Sequence, residues 1–360
     1  MLTSLTAASN LARIPGPESA GADPGPASYA QGGTTPAVTD ADVLLGLLDP
    51  NAFLGGDMPL DAGLADEAMA RVADGLGLSV TDTAAGVHEV VNQNMAAAAR
   101  MHGVEMGVDL RGVTLIAFGG AGPVHACGVA DLLESDRVIF PVNASVLSAF
   151  GTLVSPVRID LARSLPRLLS DIDPAERDAL LDELRDEGRR VLLAAGVPAD
   201  QVVFRYGVDA RYAGQGNEIT VWVGAGQQWP ASDDEVTAAF EAEYERIYGM
   251  AIPDVPVEAV TWRLSALATS TVVEPDTSLA PAVGAPTPIS RRTMVFDRGQ
   301  PGLETAVYRR ADLGAGAHFD GPAVVEERET TSVIRPGWSV TVSDDGSLIA
   351  QRTTTPSVAT

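Results

Sequence analysis

The apolar spacing along the first half of the chain is mostly helical. Thr39-Asp40-Ala-Asp42 can cap a helix that runs through Val43, Leu44, Leu47 and Leu48. Asp49-Pro50 predicts its end, because a residue before proline is pushed out of the helical region. A second helix is predicted over Leu64–Leu76. A third runs from near Thr81-Asp82 to about Met101, with Val87, Val91 and Met95 on one apolar face beside Val90 and Ala98. His88 and Asn92 fall on the flank of that face and are expected to be solvated or packed between helices.

The period then changes. Val113-Thr-Leu-Ile-Ala-Phe118 is an apolar run of strand type that stops at Gly119-Gly120-Ala-Gly122-Pro123-Val-His125. A helical segment through Cys127, Val129 and Leu133 follows, and Arg137–Val142 reads as a second buried strand. Strand, glycine turn, helix and strand make a βαβ-like unit. Glycines at such a turn let the backbone approach a ligand, and the adjoining helix start offers free N–H groups and partial positive charge. A bare strand-to-helix turn has the same pattern. A dinucleotide fold would need a third glycine where His125 stands and an acidic residue after the second strand, where Val142-Asn143-Ala144 stands. A Gly-x4-Gly-Lys phosphate loop is excluded, because the chain has no lysine.

The pattern is different beyond about residue 165. Asp173-Pro174-Ala-Glu176 starts a helix that Gly196 stops, and Phe204, Tyr206, Val208, Ala210 and Tyr212 alternate as a half-buried strand. Glu218–Val223 is another strand. Ser232-Asp-Asp-Glu235 is a capping box for a helix ending at Gly249, and Val257–Ala266 is a further strand. Residues 270–288 read as a long loop, and the rest to about Ala350 as short strands between Gly/Pro turns. Two domains are therefore expected, at 1–165 and 166–360, the second α+β with mixed or antiparallel sheet. Residues 15–40, dense in turn formers from Pro15 to Pro26 and continuing through Tyr29 and Gly32-Gly33, read as an ordered loop rather than a low-complexity linker.

Composition narrows the partners. The 360 residues carry 48 acidic against 24 basic side chains, a net charge of −24, which repels nucleic acid and anionic membranes. A single cysteine, Cys127, on the apolar face of its helix, reads as a buried structural thiol. Without a stretch of signal-peptide or membrane-span character, the expected location is the cytoplasm. Ser148 lacks a nucleophile elbow.

Several ordered motifs together resemble the hydantoinase/oxoprolinase A family. They are Gly16-Pro-Glu-Ser-Ala-Gly-Ala-Asp-Pro-Gly-Pro26 with Gly32-Gly33, Val38-Thr-Asp40-Ala, Phe53-Leu-Gly-Gly56 and Asn94-Met95-Ala. Further on come Ala117-Phe-Gly-Gly-Ala-Gly-Pro123-Val-His125-Ala, Val146-Leu-Ser-Ala-Phe-Gly151, Arg211-Tyr-Ala-Gly-Gln215, Tyr248-Gly249 and Gly321-Pro-Ala-Val-Val-Glu-Glu327. The resemblance implies an α/β fold: the C-terminal part of an actin/Hsp70-like ATPase core, followed by the α+β domain. It implies that Phe118, Gly119, Gly120, Gly122 and Pro123 cradle the adenosine side of ATP, with Mg2+ accompanying the nucleotide. Asp40 and His125 are the polar candidates near the cleft for catalysis, each also readable as a cap or helix residue. No metal ligand is assigned among these residues from the sequence.

The implied reaction is ATP-dependent opening of a cyclic amide such as a hydantoin or 5-oxoproline, in concert with a hydantoinase B-type subunit. The same fold would also serve a subunit of an acetone- or acetophenone-type carboxylase. The Asp-x-Gly-Gly-Thr phosphate loop of the family does not occur in these residues, and Ser28 stands where the family often has cysteine. The chain thus corresponds to the C-terminal half of such a subunit. A non-catalytic assembly module is the third reading. An exposed cleft face predicts that the isolated chain oligomerises or takes a partner.

Overall fold

A computed structural model describes residues 3–5, 15–269 and 279–353. The described residues within Met1–Phe150 and Pro275–Thr360 form one compact unit, and those of Gly151–Glu274 form another. The boundary expected at 165 falls inside a strand of the second unit. The C-terminal segment expected to belong with that unit instead returns to the first. The expected loop at 270–288 lies partly outside the described residues.

The first segment begins with an antiparallel pair, β1 (Thr3–Leu5) and β2 (Pro15–Ser19). Helix α1 (Val38–Leu44) is shorter than the apolar spacing suggests. Its end is set by Gly46, whose φ of 75° is a left-handed conformation, and a Cβ there would lie 2.5 Å from the carbonyl oxygen of Thr293. The chain turns at this glycine, and Leu45 accepts a hydrogen bond from the Val295 N–H at 3.0 Å.

Helix α2 (Ala62–Leu76) starts at Asp61, which accepts from the Leu64 N–H, and stops at left-handed Gly77. Helix α3 (Val80–Glu105) starts at Ser79 and outruns its expected end. Then come β3 (Leu115–Ile116), α4 (Gly122–Leu133), β4 (Arg137–Phe140) and α5 (Leu147–Val154). β3 and β4 pair in parallel with α4 between them, as the βαβ reading expects.

The second unit is an antiparallel sheet of β5 (Arg158–Leu168), β6 (Val202–Tyr212), β7 (Ile219–Ala225) and β8 (Val257–Ala268) in the order β5-β8-β6-β7. Helices α6 (Pro174–Ala194) and α7 (Asp233–Tyr248) cover one face, closing a core around Trp262, Phe204, Phe240 and Leu184. The other face is polar: buried Asp209 accepts from Thr220 and Arg263, each at 2.6 Å. The capping box at Ser232 is present, with Glu235 N–H donating to the serine Oγ and Glu235 accepting from the Ser232 N–H. Ser232→Ala is expected to lower stability by about 1 kcal/mol, read from the denaturant midpoint. An unchanged midpoint would show the cap to be idle.

The returning segment supplies β9 (Ser290–Met294), β10 (Leu303–Arg309), β11 (His318–Asp320), β12 (Ala323–Glu326), β13 (Thr331–Ile334), β14 (Trp338–Val342) and β15 (Leu348–Arg352). They form a sheet β13-β12-β10-β9 and extend the βαβ pair into β11-β14-β15-β4-β3. One core of this unit packs Cys127 and Ala130 of α4 against Phe140, Trp338 and Leu348. The other packs α1, α2 and α3 against Met294, Val324 and Val333. Burial pushes the Cys127 thiol up to about 12, so it is an inert core residue, as expected. Among the described residues no helix is long and apolar enough to cross a membrane.

Candidate functional site

A cavity of about 290 Å3 opens in the first unit beside the glycine turn. Gly120, Ala121 and Val124 form one wall, Tyr29, Phe53 and Leu54 another, and Glu326–Thr331 a third. The glycine turn is tied to this last wall by Thr330, whose hydroxyl donates to the Gly120 carbonyl at 2.9 Å. Tyr29 and Phe53 meet with ring centroids 5.9 Å apart. The lining carries Asp42, Asp49, Glu326, Glu327 and Glu329 against the guanidinium of Arg328. Such a rim favours neutral or cationic groups over a triphosphate.

The residues expected to cradle adenosine are only partly brought to this cavity. Gly120 lines it, whereas Phe118 stands half-exposed beyond the edge strand β3. The Gly119 N–H donates to the Ala144 carbonyl at 2.8 Å. Gly122 and Pro123 open α4, with the proline in its first turn.

Asp40 is fully buried behind the wall. Its Oδ1 accepts from the Ser28 N–H at 2.7 Å, and its Oδ2 from the N–H groups of Ala27 at 3.1 Å and Ala37 at 2.7 Å. It therefore fixes the turn-rich loop before α1 rather than facing the cavity. Burial, and then the charge of Asp40, raise the pKa of Tyr29 on that loop.

His125 sits in the first turns of α4 and is only 4% exposed. Burial is the main influence on it; the charge of Asp42 opposes and His88 reinforces, and its pKa falls to about 4. Its Nδ1–H donates to Asn92 Oδ1 at 2.9 Å, and its ring stacks on His88 with centroids 4.5 Å apart. The His88 Nδ1–H donates to Asp42 Oδ1 at 2.8 Å. Asp42 both lines the cavity and joins this cluster.

Asp42, His88 and Asn92 were not candidates from sequence. The signal was the i, i+4 spacing of His88 and Asn92, which puts both on one side of α3. Glu327 adds a second perturbed group. Burial raises its pKa, against the opposing charge of Arg310, whose Nε lies 3.3 Å from Glu327 Oε1.

Comparison with known proteins places the chain. Residues 3–161 match the hydantoinase/oxoprolinase family and residues 175–352 the hydantoinase/oxoprolinase C-terminal domain. Caprolactamase subunit alpha of Pseudomonas jessenii is 33% identical over 332 residues, covering 91% of this chain and 48% of that subunit. Among solved structures, nucleotide-free acetone carboxylase matches with a TM-score of 0.80 at 26% identity, covering 98% of this chain and 51% of that one. The ATP-dependent caprolactamase from Pseudomonas jessenii matches with a TM-score of 0.78 at 31% identity, covering 98% and 52%. The chain spans about half the length of these curated relatives. Matched along nearly all of its own length, the chain belongs to the hydantoinase/oxoprolinase family.

Proposed function

We propose that this chain is the adenosine-side half of the ATPase-type subunit of an enzyme that opens cyclic amides at the expense of ATP. The observation that carries this reading is the family match through both halves of the chain, with the glycine turn walling a cavity. A cyclic amide resists hydrolysis because its nitrogen is a poor leaving group and its carbonyl is resonance-stabilised. Transfer of the terminal phosphoryl group of ATP to the amide oxygen, with ADP leaving, cancels the resonance. Water then adds to the carbon, and the ring C–N bond breaks as the nitrogen leaves protonated. The acyl phosphate so formed is hydrolysed to acid and phosphate.

The residues present fit one end of the nucleotide. Gly120 and the aromatic pair Tyr29 and Phe53 offer an uncharged, close-approach surface suited to a nucleoside. The carboxylate-rich rim does not fit phosphates, so in this reading the triphosphate and Mg2+ are held by other elements. A hydantoinase B-type subunit and a small cyclic amide are the proposed partners. The half-exposed Phe118 and the exposed Met101, Val104 and Met106 at the end of α3 offer apolar area for association.

Likeness to acetone carboxylase at a TM-score of 0.80 supports a second reading, as part of an ATP-dependent ketone carboxylase. Product analysis separates the two. In an assembly that joins this chain to the phosphate-holding segment and a B-type subunit, with ATP and Mg2+, ring-opened acid from hydantoin, 5-oxoproline or a lactam supports amide opening. A β-keto acid from acetone and bicarbonate supports carboxylation instead. For the chain alone, calorimetry is expected to show adenosine and ATP binding with similar weak affinity, and Gly120→Val is expected to abolish both. Micromolar ATP binding that far exceeds adenosine binding would mean the chain holds phosphate by itself.

A further inference from the structure

We propose that Asp42, His88 and His125 form a binding site for one divalent transition-metal ion in the wall of the cavity. The three residues come from three different helices, α1, α3 and α4, and all are buried. Each presents a potential ligand atom, and these atoms lie within 4.8 Å of one another. Two imidazoles and a carboxylate are the donor set that zinc, manganese, cobalt and iron accept.

The hydrogen bonds leave a specific gap. Asn92 Oδ1 can only accept, so the proton of His125 sits on Nδ1 and Nε2 carries the lone pair. That Nε2 faces Asp42 Oδ2 at 3.7 Å, too far for a hydrogen bond. Two electron-rich atoms thus confront each other inside the protein. Ligand atoms about 2.1 Å from one metal ion stand about 3.4 Å apart at a tetrahedral angle, so the gap accepts a cation with a few tenths of an ångström of closure.

The supporting groups have the character of a metal site. Asn92 orients His125 through its other ring nitrogen, as outer partners of metal-bound histidines do. Asn92 is itself held against α4 at Gly128, where a Cβ would lie 2.7 Å from its Nδ2. Asp42 opens on the cavity, whose other carboxylates concentrate cations at that mouth. Three protein ligands with an open side describe a metal that still binds water or a substrate oxygen, rather than a closed structural site. The site stands independently of the ATP-dependent reading, because it rests on these side chains alone.

The test is cobalt(II) titration of the metal-stripped 360-residue chain, followed by visible absorption, with zinc(II) and manganese(II) as competitors. One cobalt per chain, with micromolar or tighter affinity and d–d bands of imidazole–carboxylate ligation, is the expected result. His88→Gln and His125→Gln, which preserve side-chain size, should each weaken binding at least about 100-fold, and Asn92→Ala about 10- to 100-fold. The other two histidines, His102 and His318, are exposed and lie beside Glu105 and Asp320. Their double glutamine variant should bind as the parent does. Binding that survives in His125→Gln and vanishes in the double variant would overturn the proposal, as would failure of the parent chain to bind stoichiometrically. Should a cluster variant not fold, the parent and the double variant still decide the question.

Discussion

Replacing Asp40 with alanine is expected to destabilise the protein by about 3–5 kcal/mol, one of the largest effects a single side chain here can produce. Three backbone N–H groups, of Ala27, Ser28 and Ala37, converge on this one carboxylate. Alanine leaves buried donors without an acceptor, at about 1–3 kcal/mol each before relaxation. Hydrogen bonds to a charged acceptor sit at the strong end of the range. Asp40→Asn should recover part of the loss, since its oxygen can serve some donors while its NH2 group confronts another. Urea midpoints measure the stability, and limited proteolysis between residues 19 and 37 reports the loop directly. A loss below about 1 kcal/mol would show that water replaces the carboxylate without penalty, and the positioning role would fail.

Trp338→Ala is expected to cost a similar about 3–5 kcal/mol, by a different route. The ring is 2% exposed and packs in the core formed by α4 and the five-stranded sheet. It also holds a polar group in place. The indole Nε1–H donates to Asp131 Oδ1 at 3.1 Å, and the guanidinium of Arg352 lies 4.9 Å from the ring centroid. Asp131 is on α4, and its partly buried carboxylate has a raised pKa because burial outweighs the nearby Arg352 and Arg335 charges. Removing the indole therefore opens a cavity and withdraws a donor from a desolvated acid. Trp338→Phe, which keeps most of the packing and loses the donor, should cost roughly 1–3 kcal/mol. Equal losses for the two variants would assign the whole effect to the hydrogen bond and contradict the packing argument.

Much of the local structure is readable from the sequence because its causes are local. Ser232 with Glu235, Asp173 with Pro174, and Gly249 act within one helical turn, and each marks its helix end within a residue or so. The glycine turn between β3 and β4 is equally local. Strand β5 is harder to see, because Arg158, Asp160, Arg163 and Arg167 interrupt its apolar residues and most of it is exposed. That strand is why the boundary near residue 165 does not coincide with the edge of a compact unit.

The candidate site is legible only in part. Helical periodicity identifies the buried face of α3 but not the helices that will face it. Asp42, His88 and His125 meet because α1 and α4 both pack on α3, a tertiary fact with no sequence signature. Asp40 shows the same limit. Its position suits a helix cap, yet two of its three hydrogen bonds reach back to Ala27 and Ser28.

Strand β15 lies between β14 and β4, so Leu348 pairs with Phe140 across some two hundred residues of chain. Both cores of the first unit likewise need side chains beyond residue 290, such as Met294 and Trp338. During vectorial synthesis the ribosome releases the whole of the 151–274 unit before either core can close. The usual order, with the N-terminal part folding first, is thereby inverted. The helix faces that meet Met294, Val324, Val333 and Trp338 stay uncovered on the nascent segment until β9 to β15 emerge. In the cell, this segment is accordingly where chaperones that bind exposed apolar stretches are expected to engage the growing chain.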